Sequence, residues 1–149
     1  ALHFGKSLQI VYVSSRQAVD PGAGVPGYVL ANYAVLSLPK ILRTNLGKKG
    51  GEITAFSLAL PFVRTSMTQA LADNPRVFGR WQPRMLETNE AAQAFAQLLT
   101  RPPEELDDHI FQLDVAGEPD DVQVTWSEIE MAPTSSTLDW SQENPLALK

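Results

Sequence analysis

Four consecutive apolar positions, Ile10, Val11, Tyr12 and Val13, run into the paired serines Ser14 and Ser15 without polar alternation. That pattern predicts a central strand from Leu8 to Ser14 with both faces covered, as in a parallel sheet, and open α/β sheets place their ligands at strand carboxyl ends. Asp20-Pro21-Gly22-Ala23-Gly24-Val25-Pro26-Gly27 cannot be helical; it predicts a connecting loop that returns the chain so that a helix begins near Tyr28. From Gly27 to Leu46, the residues Leu30, Tyr33, Ala34, Leu36, Leu38, Ile41, Leu42 and Leu46 spread over a broad helical surface. A helix of that kind is expected to be largely buried. Pro39 falls inside it and either kinks it or divides it into two shorter helices.

Gly47, Gly50 and Gly51, with Lys48 and Lys49, suit a helix carboxyl terminus, and Glu52 to Leu60 reads as a second buried strand. Strand, helix and strand in that order predict parallel pairing through a crossover. Thr65 can cap a short helix that continues to Ala72, where Asp73-Asn74-Pro75 stops it. Arg76 to Leu86 holds Phe78 and Trp81 among Arg76, Arg80 and Arg84, and reads as a solvated loop whose aromatics pack inward. Thr88 to Thr100 is an amphipathic helix, capped by Thr88 or Asn89, with Ala91, Ala92, Phe95, Leu98 and Leu99 on its buried side. A third strand follows from His109 to Asp114 and ends at Gly117. Val122, Val124, Trp126 and Ile129 then mark an added strand or arm, and the tail from Ala132 reads as loosely ordered.

Composition narrows the class. The 149 residues suit one domain, and 44% hydrophobic with 19% charged residues excludes disorder. A net charge of -5 gives no electrostatic footprint for nucleic acid or an anionic membrane, and no run of about 18 apolar residues spans a bilayer. The absence of cysteine excludes disulfides, thiolate metal sites and a cysteine nucleophile. His3 and His109 are far apart in sequence, so no zinc cluster is expected. Ala1 to Ser7 carry neither an initiator Met nor the charged and apolar regions of a signal peptide, so the chain reads as beginning in the middle of something. The expected location is cytoplasmic.

The candidate chemistry lies in two spacings. Tyr28 stands thirteen residues after Ser15, and Asn32 follows Tyr28 by four, which places both on one helix face. Further on, Leu60-Pro61-Phe62-Val63-Arg64-Thr65-Ser66-Met67 follows the second strand. On these residues the chain resembles the short-chain dehydrogenase/reductase superfamily, whose motif is a Ser ending the fifth strand, a Tyr thirteen residues on and a Lys four residues later. Asn32 stands at the Lys position. In this it is similar to the ketoreductase domains of polyketide and fatty-acid synthases, which carry Tyr-x-x-x-Asn and take their Lys from an upstream strand. Val63, Thr65 and Met67 match the family's Pro-Gly-x-Val-x-Thr-x-Met segment, with Leu60-Pro61 in place of Pro-Gly.

The resemblance covers about residues 1 to 117. It implies the C-terminal half of a Rossmann-type doubly wound parallel sheet, strand-helix-strand-helix-strand, with residues 118–149 as an extension. It further implies that Ser15 hydrogen-bonds a substrate oxygen, that Tyr28 donates or accepts the proton and that Asn32 completes the catalytic set. Val63, Thr65 and Tyr28 would contact a nicotinamide cofactor, NADP or NAD. These residues hold no Gly-rich nucleotide-binding turn. The implied partner is therefore a second polypeptide supplying the nucleotide-binding half, or another copy of the chain, and the implied substrate is a small carbonyl compound or alcohol. In the family the region of Arg76 to Leu86 is a variable substrate lid, so the resemblance also implies an aromatic and basic lid suited to a substrate with an anionic handle, beside the reading of a solvated loop. Two other readings stand beside this one: a cofactor-free member of the superfamily acting as a binding or scaffold subunit, and an unrelated α/β binding module with coincidental spacings.

Overall fold

The computed structural model describes residues 7–21, 25–46, 53–72, 85–118 and 121–131. Its elements in chain order are β1 (Leu8–Ser15), a 3-10 turn (Arg16–Ala18), α1 (Pro26–Leu36), α2 (Leu38–Leu46), β2 (Ile53–Leu60), α3 (Ser66–Ala72), α4 (Thr88–Leu98), α5 (Pro103–Leu106), β3 (Ile110–Glu118) and β4 (Asp121–Glu128). The expected loop glycines Gly22 and Gly24, the glycine and lysine segment 47–51, the arginine and tryptophan segment 76–84 and the tail from Ala132 lie outside the described residues.

β2 is the axis of the sheet because its composition allows nothing else: every residue from Thr54 to Ala59 is buried. β1 pairs with it in parallel from Leu8↔Ile53 to Ser15↔Leu60, and β3 pairs in parallel on its other side from Ser57↔Ile110 to Ala59↔Gln112. β4 returns antiparallel to β3, giving the order β1-β2-β3-β4. The chain thus forms the expected α/β class, a mostly parallel open sheet interleaved with helices and compatible with a fragment of a Rossmann-type sheet. The run from Val122 to Trp126 is a full strand of this sheet, and Trp126 Nε1 donates to the Ala94 carbonyl in α4 at 2.8 Å.

Helices cover both faces. Phe56, Leu58 and Phe111 pack with Leu98 of α4 and Leu106 of α5 on one side, where the Phe56 and Phe111 rings meet edge-on at 6.1 Å. On the other side Ala59 packs with Leu36 of α1 and Ala18 of the 3-10 turn, joined by Ile129 and Met131. At the amino ends of the strands Arg43 of α2 pairs with the Asp107 carboxylate and the Ile53 carbonyl, while the same carboxylate accepts from Ala55 N–H at 2.9 Å.

The segment from Gly27 to Leu46 takes the second of its two expected forms, two helices that meet at Ser37, with Pro39 in the first turn of α2, where a missing N–H costs nothing. Three local expectations are corrected. α1 is not largely buried, since Leu30 is 71% exposed and Tyr28 and Tyr33 are also open. Only one side of this helix meets the sheet, and no described element lies over the other. β1 is not central among the described strands; it forms one edge, and Val13 is 59% exposed. The cap of α4 is also shifted by a residue. Glu87, rather than Thr88 or Asn89, precedes the helix, and its N–H donates to Glu90 Oε2 at 2.7 Å.

Candidate active site at the carboxyl ends of the strands

The serines ending β1 have different work. Ser14 is 5% exposed, and its Oγ donates to the Asn32 carbonyl of α1 at 2.8 Å, with Asn32 Oδ1 at 3.4 Å. Ser15 caps the 3-10 turn: its Oγ accepts from Gln17 N–H at 3.2 Å. A hydroxyl that accepts from the backbone still carries its own hydrogen, so Ser15 retains a donor for a ligand oxygen.

Two contacts fix the direction of α1 and so the place of Tyr28. Ser57 Oγ lies 3.4 Å from the carbonyl oxygens of Val35 and Leu36, whereas Ser14, which pairs with Ala59 further along the strands, meets Asn32. α1 therefore runs antiparallel to the strands, and its amino end passes beyond their carboxyl ends. Tyr28 precedes Asn32 by four residues, or about 6 Å of helix. At about 3.3 Å per strand residue that is two residues past Ser14, level with Arg16. Tyr28 and Ser15 thus belong to one edge of the sheet. Tyr28 is half exposed, and Asn32 Nδ2 donates to the Tyr28 carbonyl at 2.9 Å. The Asn32 amide is turned along its own helix instead of toward the phenol. Among the described residues no hydrogen bond between side chains joins Ser15 to Tyr28 or Tyr28 to Asn32.

The segment after β2 reaches the same edge. Phe62 and Arg64 bracket Leu86 with backbone bonds, Leu86 N–H to the Phe62 carbonyl at 3.0 Å and Arg64 N–H to the Leu86 carbonyl at 2.7 Å, so Val63 is held in a one-residue parallel bridge. Thr65 precedes α3 as its cap. Its N–H donates to Thr68 Oγ1 at 2.8 Å, its own hydroxyl lies 3.2 Å from the same oxygen, and Thr68 Oγ1 in turn donates to the Val63 carbonyl at 2.7 Å. Val63 is half-buried and Thr65 exposed. This is a hydroxyl-rich corner in which Thr65 can exchange a local bond for one to a ligand.

A polar group beside it has no counterpart among the expected site residues. Asp114 of β3 accepts from Gln112 Nε2 at 2.6 Å and from Ser127 Oγ of β4 at 2.5 Å, and Arg16 Nη1 reaches it at 3.7 Å across the end of β2. In the sequence the only trace is the alternation Gln112, Leu113, Asp114, Val115, which marks one polar face of β3. Ser127 and Arg16 come from elements that only the fold brings near.

Among the described residues no group of three or more His, Asp or Glu side chains is placed to hold a metal ion. No described helix is long and apolar enough to cross a membrane. No protein-family model matches the chain, and no curated protein matches it.

Proposed function

We propose that this chain carries the catalytic half of a short-chain dehydrogenase/reductase-type oxidoreductase, which interconverts a carbonyl and an alcohol together with a nucleotide-binding segment from outside these residues. The observation that supports it is the antiparallel course of α1, which sets Tyr28 level with the residue after Ser15 at the edge shared with Val63 and Thr65. When bound, a nicotinamide supplies or takes the hydride. The chain's own residues do the rest: Ser15 donates a hydrogen bond to the substrate oxygen and polarises it, and Tyr28 gives that oxygen a proton during reduction or removes it during oxidation. Val63 and Thr65 fit the nicotinamide end of such a cofactor, as a half-buried backbone position and an exposed hydroxyl side by side. No described residues form a Gly-rich cradle for its pyrophosphate, which is the part the partner segment contributes. The resemblance puts a cationic Lys beside the Tyr, and Asn32, which stands at that position, cannot supply the charge.

The edge of β1 that no described strand pairs is where that segment would add, since a long exposed edge strand with an apolar Val13 is a state that proteins cover. On this reading the protein works in the cytoplasm, where reduced nicotinamide dinucleotides are at hand. The test is turnover by the native assembly, followed as loss of reduced-nicotinamide absorbance over a panel of small ketones. Tyr28→Phe should abolish it. Full activity of that variant would refute the assignment.

The second reading, a non-catalytic scaffold subunit, is favoured by Asn32, which stands at the Lys position and commits its amide to the Tyr28 carbonyl. Saturable partner binding with no turnover in any assembly would select it.

A further inference from the structure

Arg16 follows Ser15 directly, so their Cα atoms are about 3.8 Å apart, and it opens the turn at the sheet edge where ligands of open α/β sheets collect. Its side chain is 43% exposed, so burial has not consumed the guanidinium. Its ion partner stands at 3.7 Å, beyond hydrogen-bond reach, and half-exposed pairs of that length are weak. Asp114 does not depend on Arg16 either. Its two oxygens already accept from Gln112 and Ser127, donors rooted in β3 and β4. The guanidinium thus lies near the carboxylate over the end of β2 without a hydrogen bond to it, and most of its fork of donors is uncommitted among the described residues.

We propose, resting on the oxidoreductase reading, that Arg16 selects substrates carrying an anionic group, a carboxylate or phosphate, close to the reacting carbonyl. The class is that of small oxo acids and their hydroxy-acid partners. The oxygen to be protonated meets Ser15 and Tyr28, and the anion meets the Arg16 fork in the bidentate geometry that guanidinium offers carboxylates and phosphates. Arg16 is then a substrate-binding residue that sets specificity and takes no part in proton transfer.

The probes are pyruvate and its uncharged methyl ester, each titrated into the full chain with backbone amide NMR, and each assayed as substrate of the native assembly. Pyruvate should shift the amides of residues 14–18 saturably and the ester should not. Arg16→Gln should weaken pyruvate binding and raise its KM by about 10- to 100-fold, the range of a charge-assisted hydrogen bond, while kcat/KM for the ester changes by less than about threefold. Arg16→Lys should recover part of the loss. Equal losses for both probes, unchanged pyruvate binding in Arg16→Gln, or no saturable shift at these amides would each overturn the proposal. The two claims fail separately. Turnover indifferent to Arg16→Gln leaves the reaction and removes the anion site, whereas Arg16-dependent pyruvate binding without turnover in any assembly leaves the site and removes the reaction.

Discussion

Ser14→Ala tests the contact from which the position of Tyr28 is derived. The hydroxyl is buried and donates to the Asn32 carbonyl at 2.8 Å. That carbonyl also accepts the Leu36 N–H within α1, so removing the hydroxyl leaves no orphaned acceptor. The cost is therefore the net value of one hydrogen bond, about 1 kcal/mol, and not the larger penalty of an unsatisfied buried group. Deleting a single oxygen opens almost no cavity. For a chain of this length the expected fall in Tm is about 2–4 °C, with a matching decrease in urea midpoint at constant slope. Circular dichroism on wild type and Ser14→Ala measures both. Turnover should fall only severalfold, because α1 loses its tether along β1 while Ser15 and Tyr28 remain. No loss of stability would mean that Ser14 does not hold Asn32 in solution. The axial placement of α1 would then lose its anchor, and with it the argument that Tyr28 is level with Arg16.

Tyr28→Phe should cost less than about 0.5 kcal/mol of stability, since the ring is half exposed, yet reduce turnover by about two orders of magnitude in the native assembly; equal turnover by steady-state assay would refute the proton-transfer role. Asn32→Ala should leave stability within about 1 kcal/mol, as the better helix former offsets the exposed bond to the Tyr28 carbonyl and the long one from Ser14, and it should impair turnover only if a Lys from the partner segment acts through the amide. The chain by itself should show no saturable micromolar binding of NADPH in fluorescence titration, because the described residues form no pyrophosphate cradle. Trp126→Phe should cost about 2 kcal/mol, part from the lost bond to Ala94 and part from the smaller ring, with thermal melts as the check; a near-zero change would make β4 a loose arm instead of a strand of the core.

The parallel core was legible because burial on both faces leaves consecutive apolar residues. Phe56 and Leu58 alternate with Ala55, Ser57 and Ala59, all buried, so β2 could be placed from its sequence. The same reasoning misplaced β1. Ile10 to Val13 has the composition of a covered strand, and composition does not say which polypeptide does the covering. Leu30 and Tyr33 of α1 repeat the lesson. They read as core and stand in the open, the pairing expected if the surfaces of β1 and α1 are completed by a partner. The division just before Pro39 was legible as one of two alternatives; α1 stops at Leu36 because Pro39 has no N–H to continue its ladder.

The site divides along the same line. That Ser15 and Tyr28 lie toward one edge could be read from a spacing, because a strand end and the start of the helix that packs back along it are joined by one loop. Asp114 could not, because its meaning comes from Ser127 across an antiparallel register and Arg16 across two parallel strands. Nonlocal polar groups of this kind leave only a period-two trace in each strand. On the proposed reading Ser15 and Tyr28 would handle the oxygen of any carbonyl, so they imply a reaction and no substrate. A guanidinium beside them whose donors the neighbouring carboxylate does not take up would then discriminate by charge, which is what a binding edge adds to a proton donor.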